Sequence, residues 1–191
     1  MRHDKLQIHL DYFTENPASI FWKMNMGVEI VTGDVLDTTT DALLLTVDGA
    51  KRGLEGNIAR QFAKRFPQDW VYLQRDLKYP IPIGRTVLVP WDGDCCWRQL
   101  LFASTLHHLG VIEDHEKLRV IRLALTEALN LCVRHGVSSL SSAVLQGGWR
   151  LSTEAALEEM ISTYQSAGCP QVRLEIVLPA PAASDQIQLL Q

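Results

Sequence analysis

Residues Ala42 to Val47 read Ala-Leu-Leu-Leu-Thr-Val, an apolar run whose only polar member is Thr46. Such a run lacks the alternation of a strand with one wet face and suits a central strand covered on both sides. Other apolar stretches flank it along the chain. Leu6, Ile8, Leu10 and Tyr12 alternate with polar residues, the period of a half-buried strand. Val28 to Thr32, Thr86 to Val89, Leu100 to Leu106, Val137 to Leu145 and Val172 to Leu178 also read as strands. Helical spacing intervenes. Ile58, Phe62 and Phe66 recur every four residues until Pro67 ends the pattern, and Trp70 and Leu73 share a face between Asp69 and Leu77. A long helix runs from Asp114, a plausible N-cap, to Gly136, with Leu118, Ile121, Leu125, Leu129 and Cys132 as its buried stripe. Ser152 caps a last helix through Ala167, with Leu157, Met160, Ile161 and Tyr164 turned inward. Strands alternating with helices imply a sheet covered by helices on both faces. The fold class is α/β, a single three-layer α/β/α domain.

With 191 residues, one such domain would bury roughly 70% of the surface its unfolded chain exposes, so no staple is required. Eighteen Lys and Arg against 22 Asp and Glu leave a net charge of −4, without the basic stripe that tracks a phosphate backbone. That balance argues against nucleic acid as a partner. The four cysteines, Cys95, Cys96, Cys132 and Cys169, form no Cys-x-x-Cys pair, and neither a signal peptide nor a membrane span is evident. A soluble protein of the cytoplasm is the expectation. His107 and His108 near Cys95, Cys96, Asp92 and Asp94 suggest a metal only at first sight, because adjacent strand residues point to opposite faces. No metal and no cofactor is expected.

Open α/β sheets take ligands at the carboxyl ends of their strands. Three loops qualify: Gly33-Asp34, the stretch from Asp48-Gly49 to Gly56, and Gln146-Gly147-Gly148. Glycines at a strand-to-helix crossing let backbone N–H groups approach a phosphate, and the helix N-terminus adds partial positive charge. Each loop also has a plain reading as a turn, with Asp34 or Asp48 closing it through its own carboxylate. Neither a P-loop nor a Gly-x-Gly-x-x-Gly fingerprint is present.

In their order along the chain these loops resemble a macro domain. Val28-Glu29-Ile30-Val31-Thr32-Gly33-Asp34-Val35 matches that family's first strand and its Gly-Asp ending. Asp41-Ala42-Leu43-Leu44 resembles the start of its second strand. Pro82-Ile83-Gly84 resembles the Pro-x-Gly before its next strand, while Gly136-Val137-Ser138-Ser139-Leu140 and Gly148 fit the late strand and phosphate loop. The resemblance covers roughly residues 28 to 178. It implies a mixed central sheet and a ligand of the ADP-ribose type, with Asp34 accepting from the adenine amino group and Val35 against the base. Gly53, Gly56, Gly147 and Gly148 would line the diphosphate. Trp149 and Arg150 stand where the family has an Ile and an aromatic residue, the position of Arg150 being close to the distal ribose, and the planar fork of Arg150 also suits the diphosphate. The family's Asn-Ala-Ala-Asn is Leu45-Thr46-Val47-Asp48 here, and Glu55 interrupts the glycine-rich loop.

The domain expectation is an N-terminal strand and helix extension packed on the domain over 1–27, a macro-like domain over 28–178, and a tail over 179–191. Two other functions stand beside nucleotide binding. One is hydrolysis of an ADP-ribosyl or phosphate ester with Asp48 as general base. The other is a ligand-free module for a protein partner, its pocket closed by Glu55, Trp149 and Leu151.

Overall fold

The computed structural model describes residues 27–50, 56–93, 95–106, 113–146 and 151–180. It contains β1 (Val28–Thr32), a 3-10 turn (Val35–Asp37), β2 (Ala42–Asp48), α1 (Asn57–Arg65) and α2 (Pro67–Asp76). β3 (Thr86–Pro90), β4 (Gln99–Leu106), α3 (Asp114–Arg134), β5 (Ser139–Ala143), α4 (Thr153–Ala167) and β6 (Arg173–Leu178) follow. Six strands form one sheet in the order β1-β6-β5-β2-β4-β3, parallel except for β3, which runs antiparallel to β4. The sheet is therefore mixed.

All seven residues of β2 are buried, as its unbroken apolar run requires of a strand between two layers. Ala42 and Leu44 face the cluster formed with α3 and α4, where Ile121, Leu125, Leu129 and Cys132 meet Leu157 and Met160. Leu43, Leu45 and Val47 face the opposite cluster, where Phe62 of α1 and Trp70 of α2 pack with Trp91, Trp97 and Phe102. The period of two thus splits one strand between two cores.

Three boundaries differ from the sequence expectation. Glu113, not Asp114, is the N-cap of α3, and its side chain makes no capping bond, so Asp114 stands in the first turn. β5 spans only Ser139–Ala143, because the chain turns at Leu145 and Gln146, and that turn brings the Leu145 N–H against Met160 Sδ at 3.3 Å. α2 begins at Pro67, a residue suited to a first helical position. The strand expected at Leu6–Tyr12 lies outside the described residues, as do nearly all of the N-terminal extension and most of the tail.

Candidate functional site at the carboxyl edge of the sheet

β1, β6, β5, β2 and β4 run parallel, so their carboxyl ends share one edge of the sheet. Asp34 follows β1 there, Gln146 follows β5, and Asp48 ends β2. β1 and β2 are three strand spacings apart, roughly 14 Å at ~4.8 Å each.

Asp34 caps the 3-10 turn, with Oδ1 accepting from the Leu36 N–H at 2.9 Å. The residue is exposed. Val35 is 3% exposed, and its side chain packs with the α1–α2 cluster. Its N–H opens the turn and has no partner within it. A cavity of about 370 Å³ lies beside the turn, lined by Val31, Asp34, Thr38, Thr39, Glu175 and Val177 among others. Among the described residues, Asp34 is the one sequence-expected site residue that borders it; Val35, Asp48 and Gly56 do not.

Asp48 is 4% exposed, and its Oδ1 accepts from the Ala50 N–H at 2.8 Å, a carboxylate-closed turn. Gly49 is wedged against the neighbouring strand: a Cβ there would run into Ser104 Oγ and the Ile81 carbonyl. The Ile81 N–H in turn donates to the Gly49 carbonyl at 2.8 Å. Gly56 is the N-cap of α1 and donates to the Thr46 carbonyl at 3.3 Å. A Cβ on it would lie 2.6 Å from Thr46 Oγ1 and 2.7 Å from the Thr46 oxygen. Only a glycine lets the helix start this close to β2. The first-turn N–H groups of α1, which have no intrahelical acceptors, therefore lie close to the carboxyl end of β2.

The short connection after β5 is pinned at both ends. Gln146 donates from Nε2 to the Leu151 carbonyl at 2.6 Å, and the Ser152 hydroxyl caps α4 by accepting from the Ala155 N–H at 3.1 Å. Leu151 is 4% exposed and belongs to the α3–α4 core. Gly53, Glu55, Gly147, Gly148, Trp149 and Arg150 lie outside the described residues, as do His107 and His108.

One group escaped the sequence reading. Thr38, Thr40, Ser141 and Trp97 converge under the Asp34 turn, with Trp97 Nε1 donating to Thr38 Oγ1 at 3.2 Å and Thr38 meeting Ser141 at 2.8 Å. The only trace in the sequence is the triplet Thr38-Thr39-Thr40 ahead of an apolar strand.

No protein-family model and no curated protein matches the sequence. Solved structures do. The macrodomain of Mycobacterium tuberculosis DarG superposes with a TM-score of 0.62 at 23% identity, over 79% of this chain and 98% of that one. The fold is that of a macro domain. The macro domain of ganglioside induced differentiation associated protein 2 gives a TM-score of 0.68 at 13% identity, covering 87% of this chain and 83% of that one. The Trypanosoma brucei macrodomain in complex with ADP-ribose gives 0.62 at 14% identity, over 91% and 70% respectively. At such identities it is the macro fold that is shared; the side chains of the site must be read from this chain. Among the described residues, no helix is long and apolar enough to cross a membrane.

Proposed function

We propose that this macro-fold protein binds ADP-ribose or a related nucleotide diphosphate along the carboxyl edge of its sheet. One observation carries the reading: β1, β5 and β2, whose following loops the family resemblance assigns to base, diphosphate and second sugar, stand in that order along the edge. Asp34 and the Val35 N–H, after β1, would take the base. Gly147 and Gly148, after β5, would take the diphosphate together with Arg150, whose planar fork suits phosphate oxygens. Gly53 and Gly56, ahead of α1, would line the diphosphate with them, and Asp48, at the end of β2, would meet the second sugar. The roughly 14 Å from β1 to β2 suits a base and a second sugar at opposite ends of a diphosphate. The Trypanosoma brucei macrodomain described with ADP-ribose and the Oceanobacillus iheyensis macrodomain described with ADP support the same ligand class. The partner is thus a small nucleotide rather than a nucleic acid. Residues 28–178 would supply the site, with 1–27 packed on it and 179–191 as a tail. A cytoplasmic setting belongs to the same reading, since Cys95, Cys96, Cys132 and Cys169 are all free thiols.

A thermal-shift panel of ADP-ribose, ADP, ATP, NAD and inorganic phosphate tests it. Ligand at a hundred times its dissociation constant stabilises by about 2.7 kcal/mol, or roughly 5–10 °C for a chain of this size. A shift with ADP-ribose and none with phosphate is the expected pattern. No shift with any nucleotide would overturn the proposal.

A further inference from the structure

Four side chains from three parts of the chain meet beneath the Asp34 turn, and counting their protons gives the meeting a direction. Trp97 is 1% exposed, and its indole N–H can only donate, so Thr38 Oγ1 accepts there at 3.2 Å. Thr38 has one proton of its own, and it goes to the Val35 carbonyl at 2.9 Å. In the 2.8 Å contact between Thr38 and Ser141 either hydroxyl can donate, and with the Thr38 proton on the Val35 carbonyl the serine is the donor. Ser141, fully buried on β5, is left to accept from the Thr40 hydroxyl at 2.8 Å. The Ala42 carbonyl takes a share from Thr40 at 2.9 Å and from Ser141 at 3.3 Å. With the protons so placed, donation runs from Thr40 to Ser141 to Thr38 and on to the Val35 carbonyl.

Asp34 is exposed, so packing around its carboxylate does not fix it. Its position is that of the turn it caps. The turn is short, residues Val35–Asp37, and the Val35 carbonyl is where Thr38 grips it. Telling one base from another by a single amino group requires the acceptor to be held in place before the ligand arrives. We infer that the Trp97–Thr38–Ser141 hydroxyl chain sets the base selectivity of the site by holding the Asp34–Val35 turn. Trp97 and Ser141 act as positioning residues away from the cavity, and Thr38, which lines it, passes their hold to the turn. The inference rests on the nucleotide reading above.

The test is calorimetric titration of wild type, Thr38→Val, Thr38→Ser and Trp97→Phe with ADP-ribose and with its hypoxanthine counterpart, which carries an oxygen in place of the amino group. Wild type should prefer ADP-ribose. Thr38→Val keeps the shape but loses the hydroxyl, and should reduce that preference by about tenfold, the worth of one hydrogen bond to a charged group. Thr38→Ser should restore it. Trp97→Phe removes the outermost donor along with part of a buried ring packed on Phe62 and Phe66, and should lower the preference less; where it folds, it keeps the test open should Thr38→Val fail to fold. A purely structural role would lower the melting temperature and weaken both ligands equally. A folded Thr38→Val, or a folded Trp97→Phe standing in for it, with the wild-type ratio would overturn the positioning role alone. Wild type binding neither compound would bring down the nucleotide reading and this inference with it.

Discussion

Asp41 and Ser138 stand 97 positions apart and close the amino end of the sheet: Asp41 Oδ2 accepts from both the backbone N–H of Ser138, at 3.0 Å, and its hydroxyl. The Ser139 N–H adds a third bond to the same oxygen at 3.0 Å, while the Asp41 carbonyl accepts from the Arg98 N–H at 2.7 Å. One residue thus ties the start of β2 to those of β5 and β4. The Ser138 hydroxyl is the main cause that holds the Asp41 carboxyl below its ordinary value of 3.8.

A carboxylate with a depressed folded pKa contributes stability above the unfolded value, which is lost as pH falls through the folded one. Asp41→Asn, which keeps the size and loses the charge, should cost about 1–3 kcal/mol at neutral pH. The gap between wild type and variant should shrink as the pH falls through the ordinary carboxylate value of 3.8 and then through the lower folded one. Urea titrations across that range check it, and a gap independent of pH would remove the ionised carboxylate from the account.

Gly56→Ala should destabilise by about 1–3 kcal/mol, because its Cβ meets both Thr46 Oγ1 and the Thr46 carbonyl. Adding Thr46→Ala should recover only part of the loss, since the carbonyl remains in the way. Denaturation midpoints of the single and double variants measure this. Full recovery would mean that only the side-chain clash mattered and that α1 can ride closer to β2 than its start now does.

Asp48 separates structure from chemistry through two substitutions. Asp48→Asn retains an oxygen to accept from the Ala50 N–H, so it should fold as well as wild type, whereas Asp48→Ala should lose about 1 kcal/mol. If the protein hydrolyses ADP-ribosyl esters through this carboxylate, Asp48→Asn should be inactive while fully folded. Product formation unchanged in that variant would exclude Asp48 as the base.

The α/β layering was legible because Ala42–Val47 and the stripes of α3 and α4 carry their periodicities openly. Gly33-Asp34 could be found because a strand followed by that pair is a local pattern. The Thr38–Ser141–Trp97 chain could not be found this way. Its members are separated by 59 and 103 residues from Thr38, and each alone reads as a turn threonine, a strand serine or a core tryptophan. The packing of Gly56 on Thr46 was hidden for a similar reason: a glycine before a helix looks the same whether it frees a phosphate loop or merely clears a carbonyl. Spacing along the chain records periodicity, and convergence in space leaves no such trace.

Asp34 caps its turn and is the proposed reader of the base, and one substitution can part the two. Its Oδ1 caps the turn through the Leu36 N–H, and its other oxygen is the proposed acceptor for the base. In Asp34→Asn the side-chain oxygen would be drawn to the same N–H, leaving the amide NH2 where the acceptor was. Two donors would then face each other across the base contact. Stability should stay within about 0.5 kcal/mol of wild type, as a good cap is kept, while affinity for ADP-ribose should fall by about tenfold or more. Asp34→Ala should lose both, with about 1 kcal/mol taken from stability. Melting temperatures and titrations of the two variants decide between the duties. Asp34→Asn binding as tightly as wild type would leave Asp34 as a turn cap alone and shift base recognition to the backbone N–H of Val35.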